Sequence, residues 1–289
     1  MEDLRVDPSA NSNHAIRWAS RNGETEIVNL LLQDSRVDPS AESNYAINWA
    51  SRNGDAEPVK RLLKDSRVDP ADRNNYASKW ACRNGHVEVV KLLLKDARVN
   101  PSADNNLSIQ EASRNGHAEI VKLFLEDSRV DPSAANNLVI RKASRNGHTE
   151  TVKLLLVDSR VDPSADNNLV IQEASRNGHT EIVKLLLQES RVDPSTDYNL
   201  AIREASRHGH TETVKILLAD SRVDPSAWSN LAIWLASRNG HSETLQLLLK
   251  DSRVDTFALY NLAIRMPVEN GHTEIVKILE NSIIAKVSQ

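Results

Sequence analysis

The sequence predicts an all-α solenoid of nine stacked helix pairs, and three observations carry that expectation. All nine glycines fall on a strict 31-residue period (Gly23, Gly54, Gly85, Gly116, Gly147, Gly178, Gly209, Gly240 and Gly271), as do eight of the ten prolines, from Pro8 to Pro225. Aromatic residues make up 4% of the 289 residues. A single large core draws on more Phe, Tyr and Trp than that, because those side chains dominate core volume, whereas a thin core of many small layers does not. Each period also carries two short apolar-periodic segments separated by a turn signal. Two short helices cannot bury both faces alone, so copies stack and each touches its neighbours. The repeats are expected at 5–35, 36–66, 67–97, 98–128, 129–159, 160–190, 191–221, 222–252 and 253–283, one solenoid domain over 1–289.

The sixth repeat, RVDPSADNNLVIQEASRNGHTEIVKLLLQES, shows each element in turn. Asn168, whose counterparts include Asn13, Asn44 and Asn75, sits where a side-chain oxygen can cap a helix start. A first helix then runs to about Arg176, with Leu169, Ile171 and Ala174 facing inward. Asn177-Gly178 ends it, since Gly readily takes the left-handed conformation that follows a helix. A second helix begins near Thr180, with Glu181 in its first turn to complement the helix dipole. Ile182, Val183, Leu185, Leu186 and Leu187 form its wide apolar face. Arg191-Val192-Asp193-Pro194 stops it, and a loop leads to the next Asn.

The run N-G-H-T-E-I-V-K-L-L-L at Asn177–Leu187, with Ala174 before it, closely resembles the ankyrin repeat signature, and it recurs along nearly the whole chain. Two features depart from that family. Leu169–Gln172 (L-V-I-Q) replaces its T-P-L-H tetrapeptide, and the repeat has 31 rather than about 33 residues. The missing residues fall in the inter-repeat loop, so shortened finger loops without a full β-hairpin are expected. The resemblance implies a helix-pair stack used for protein–protein recognition, with loop tips and first helices lining its concave surface.

Other functions find little support. The net charge of −4 is evenly spread, which argues against the clustered Lys and Arg of a nucleic-acid footprint. No apolar run approaches a membrane span, and residues 1–15 carry no secretory h-region. The single Cys82 cannot form an intramolecular disulfide. Seven His share one column (His86, His117, His148, His179, His210, His241, His272), but stacked helices lie roughly 8–10 Å apart and zinc needs imidazoles about 2 Å away. That column therefore reads as structural. The Arg column (Arg129, Arg160, Arg191) and Asp column (Asp131, Asp162, Asp193) read as ladders linking loop to loop. No nucleophile–base set or phosphate-binding loop is present. A non-enzymatic, cytoplasmic or nuclear monomer without cofactor or metal is expected, binding neither nucleic acid nor membrane.

Function then rests on columns that break the repeat, and every Trp and Tyr lies in them. Repeats 1–3 carry Trp18, Trp49 and Trp80 in one column, with His14, Tyr45 and Tyr76 four residues earlier. That i, i+4 spacing puts each pair on one helix side and predicts a Trp ladder. Repeats 4–6 place Glu111, Lys142 and Glu173 there instead. Repeats 7–9 regain Tyr198, Trp228, Trp234, Leu235, Leu259, Tyr260 and Met266, while Pro267 and Glu280-Asn281 mark the last repeat as a polar cap. The nine Trp and Tyr side chains are the candidate partner-binding residues, because such rings are enriched at binding hot spots. The alternative use is as a substrate-selecting adaptor of a larger assembly such as a ubiquitin ligase. It needs a second docking segment, and only Met1–Leu4 and Ile284–Gln289 lie outside the repeats.

Overall fold

The structure, a computed structural model, describes residues 7–254, 270 and 272–287. These form seventeen helices and no strand, consistent with the expected absence of a β-hairpin in the inter-repeat loops. The chain divides within one helix into two compact units, Met1–Val139 and Ile140–Gln289. The first contains the pairs α1 (Ala10–Arg21) with α2 (Thr25–Gln33), α3 (Ala41–Asn53) with α4 (Ala56–Leu63), α5 (Asp72–Asn84) with α6 (Val87–Lys95), and α7 (Ala103–Arg114) with α8 (Ala118–Glu126). The boundary falls in α9 (Ala134–Arg145). The second unit holds α10 (Thr149–Val157), α11 (Ala165–Arg176) with α12 (Thr180–Gln188), α13 (Thr196–Arg207) with α14 (Thr211–Ala219), and α15 (Ala227–Arg238) with α16 (Ser242–Leu249). A final helix, α17 (Thr273–Val287), closes it.

Within each unit first helices pack on first helices (α1–α3–α5–α7; α11–α13–α15) and second helices on second helices. The core between them is a repeated layer. In the sixth repeat Ile171, Ala174, Ile182, Val183 and Leu186 are fully buried, each large side chain contributing about 2 kcal/mol. Val170 is buried, whereas Leu169, expected inward, is half-buried. Leu185 and Leu187 are likewise half-buried at the edge of the second helix.

The Asn column has a different role from the cap predicted for it. Just inside its start, each described first helix has three consecutive residues in left-handed conformation, such as Asp166, Asn167 and Asn168, with φ of 55, 62 and 60°. Left-handed backbone costs about 1–2 kcal/mol per residue for most side chains, least for Asn and Asp. No side-chain cap bond forms at these helix starts. The Asn oxygen instead reaches the next repeat: the backbone N–H of Asp69 donates to Asn44 Oδ1 (2.7 Å), that of Asp193 to Asn168 (2.8 Å) and that of Asp224 to Asn199 (2.8 Å). The sequence signal was sound, since Asn suits both jobs. Only the left-handed turn turns its side chain toward the neighbouring loop.

The charged loop columns also divide their labour. Arg222 donates to the carbonyls of Val192 (2.8 Å) and Leu187 (2.9 Å) one repeat earlier, and pairs with Asp220 two residues before it (2.7 Å). Arg98 repeats this with Val68, Leu63 and Asp96. The Arg column thus does link loop to loop, but through backbone carbonyls. The predicted Asp partners stay local: Asp193 accepts from the backbone and hydroxyl of Ser195 (2.9 and 2.7 Å). The guanidinium two residues on holds the carboxyls of Asp65, Asp96, Asp158, Asp220 and Asp251 below the usual carboxylate range.

Candidate functional site

The aromatic column of the first unit forms a ladder whose rungs are joined by arginines. Tyr45 and Trp49 lie with ring centroids 5.6 Å apart, and Tyr76 and Trp80 5.9 Å apart, as the i, i+4 spacing predicts. Three residues after each Trp stands an Arg. Arg21 lies over the Trp49 ring at 4.6 Å, Arg52 over both Trp49 (4.7 Å) and Trp80 (4.2 Å), and Arg83 over Trp80 (4.9 Å). The order is therefore Arg21–Trp49–Arg52–Trp80–Arg83. Each cation–π contact contributes about 0.5–1 kcal/mol where solvent reaches it. Trp49, Trp80, Tyr45 and Tyr76 are half-buried in this stack, whereas Trp18 at its end is 49% exposed. A small cavity of about 80 Å³ lies there, lined by His14, Arg17, Trp18, Arg21 and Tyr45.

One repeat further on the column changes chemistry. Glu111 occupies the Trp position and lies 4.0 Å from Arg83. In the second unit Glu204 holds the same position, 3.5 Å from Arg176 and 3.7 Å from Arg207. Glu173 sits half-buried beside Arg141, Arg145 and Arg176, and burial raises its carboxyl pKa against their opposing charge. The Arg column thus meets rings in the first three repeats, carboxylates at Glu111, Glu173 and Glu204, and a ring again at Trp234.

The remaining described candidate aromatics lie in the second unit. Tyr198 (68% exposed) and Trp228 (61% exposed) stand on successive left-handed turns, with rings 5.7 Å apart and Arg203 over Trp228 at 4.4 Å. Trp234 is half-buried on α15 under Arg238 at 5.1 Å. Tyr260, with Leu259, Met266 and Pro267, lies outside the described residues.

One column that looks free to vary is committed to the fold. Gln172 is buried, and its amide donates to the carbonyl of Asn167 (2.8 Å) in the left-handed turn five residues earlier. Gln110 does the same to Asn105, Asn48 to Ser43, and Arg203 to Asp197 and Tyr198. Side-chain length varies there, yet each of these residues is a donor, which was the legible signal. The His column is also engaged: Nε2 of His86 donates to Arg52 O (2.9 Å), and His179, His210 and His241 donate to the matching carbonyls at 3.0 Å. Each ring packs on the preceding repeat's glycine, and a Cβ on Gly54 or Gly178 would come within 2.5 Å of it. Among the described residues no group of three or more metal-ligating side chains converges, and no helix is long and apolar enough to cross a membrane.

The repeat geometry has a counterpart among known families. Compared with curated proteins, the chain shows no match. A family model for ankyrin repeats, three copies long, matches residues 16–105, 47–136, 109–198, 139–228 and 202–287. Those matches run through both units and place the helix pairs, the Gly turn and its His in one scheme: the chain belongs to the ankyrin repeat family.

Proposed function

We propose that this chain, acting as one solenoid domain, grips a partner protein through the first helices and loop tips, in keeping with ankyrin repeats being protein–protein interaction modules, generally non-enzymatic. Trp18, Tyr45, Trp49, Tyr76 and Trp80 form the principal surface, and Tyr198, Trp228, Trp234 and Tyr260 an accessory one. The observation that carries this reading is the confinement of Trp and Tyr to columns that vary between repeats, with Trp18 exposed at the end of the ladder. Buried aromatic anchors at an interface typically cost about 2 kcal/mol or more when truncated. The proposed setting is cytoplasmic or nuclear and the proposed state monomeric.

Trp18, Trp49 and Trp80 changed together to Ala test it. Capture of the partner from the native host is lost while helical content and cooperative melting persist. A collapse of melting assigns the rings to the core and removes them from the site.

A further inference from the structure

The proposal rests on the first-helix surface just described and names the chemistry it receives. We infer that the Arg–Trp ladder of repeats 1–3 binds an extended acidic segment of a partner protein, its carboxylates seated on the edges of Arg21 and Arg52, whereas Arg83 at the end of the ladder already faces Glu111. The molecule supplies its own precedent. In the second unit the same Arg column is met by a carboxylate from its own chain, with Glu204 beside Arg176 and Arg207. In the first unit Trp49 and Trp80 stand where that carboxylate would be. The rings support the guanidinium faces, but a ring face accepts no hydrogen bond in the plane of the guanidinium. Among the described residues no hydrogen bond or ion pair engages the side chains of Arg21 or Arg52. Their N–H edges are held in place and lack an acceptor.

A planar guanidinium fixed by stacking is suited to bidentate carboxylate recognition, because little rotamer freedom is left to lose. The surroundings add to the charge: Arg17 lines the cavity at Trp18, and Lys79 lies on α5 beside Trp80. Spacing also fits. Stacked helices recur at roughly 8–10 Å, and an extended chain rises about 3.3 Å per residue, so every third side chain returns to the next Arg. A single-stranded nucleic acid would instead need open ring faces for its bases. Here Trp49 and Trp80 each already carry two guanidinium groups.

The test titrates the full chain with a peptide of four Asp-Gly-Ser triplets, its Asn-Gly-Ser counterpart, and oligothymidylate of matching length, following Trp fluorescence. The Asp peptide binds, weakens as salt rises, and loses about tenfold or more in affinity with Arg21→Gln and Arg52→Gln combined. A second variant, Trp49→Glu with Trp80→Glu, copies the Glu204 arrangement that the fold already accommodates, and abolishes Asp-peptide binding through internal neutralisation. Followed by calorimetry, Trp49→Leu with Trp80→Leu copies Leu235 and retains measurable binding. Equal binding of the Asn peptide, preference for oligothymidylate, or no binding of the Asp peptide overturns the inference. If the Asp peptide fails while the triple Trp variant still loses partner capture, the aromatic surface stands and the acidic partner falls. If the Leu variant captures the native partner as well as the parent chain, the converse holds.

Discussion

The first three repeats and the seventh share a scaffold and differ at the column that faces the first-helix arginines. Both have the left-handed turn, the Asn clamp, the Gly turn and an Arg that donates to the preceding loop, Arg67 to Val37 and Arg191 to Val161. At the position that faces the first-helix Arg column, one region places Trp49 and Trp80 and the other Glu204. Cation–π stacking and ion pairing thus solve one local problem, keeping a row of guanidinium groups in place. They leave different surfaces. Where Glu204 stands, the charge is met within the chain; where Trp stands, the guanidinium edges are left to something else. Identity between repeats reports folding, and a change that preserves the neighbouring Arg marks a choice about surface.

The shared scaffold predicts equal damage in both regions. Gly54→Val and Gly178→Val force a branched side chain into left-handed backbone and against His86 or His210, costing about 2–3 kcal/mol each in urea denaturation. Adding His86→Ala to Gly54→Val recovers part of that loss, because the contact with the ring is removed. Unequal losses would mean that the two units do not share the turn. Asn44→Ala and Asn199→Ala each strand a loop N–H and cost about 1–3 kcal/mol, similar in the two regions.

The variable column predicts smaller effects on stability. Trp49→Leu loses contacts to Arg21 and Arg52 worth about 1 kcal/mol together, and Glu204→Gln loses less than about 1 kcal/mol because its arginines are partly exposed. Chemical denaturation of the two variants side by side checks the order. Acid acts on both regions alike. The loop carboxyls of Asp65, Asp96, Asp158, Asp220 and Asp251 have folded pKa values below the unfolded value near 3.9. Their stabilisation is present above that pH and is lost as pH falls through the folded values, so melting temperature drops below about pH 4. Arg98→Gln and Arg222→Gln shrink that drop. The smallest effect is a gain: Ser51 and Ser206 have buried hydroxyls without a partner, and Ser→Ala at either raises stability by up to about 1 kcal/mol.

Much of this was legible in the sequence, for physical reasons. A period kept without insertion registers every column, so the helix pairs, the Gly turn and the Tyr45–Trp49 contact followed from spacing alone. Interactions that cross between repeats were not legible in the same way. Asn168 reads as a cap because a cap is the commonest local use of Asn before a helix, and its reach to Asp193 follows only once three left-handed residues are seen in the first turn. Asp193 was paired with Arg by sign, whereas its geometry favours Ser195. The Arg rungs of the Trp ladder belong to a column shared by the first eight repeats, so nothing in the sequence singles out Arg21, Arg52 and Arg83. Their second role emerges only where the facing residue changes from Glu to Trp.

The central claim is that repeated columns fold the chain and the Trp column of repeats 1–3 binds. The five Trp of the chain give an indole N–H signal each, and titration with the partner recovered from the native host reads them together by NMR. The account predicts that the signals of Trp18, Trp49 and Trp80 shift or broaden most strongly, with Trp228 and Trp234 responding less. Unchanged signals from the first three while Trp228 and Trp234 shift would contradict it.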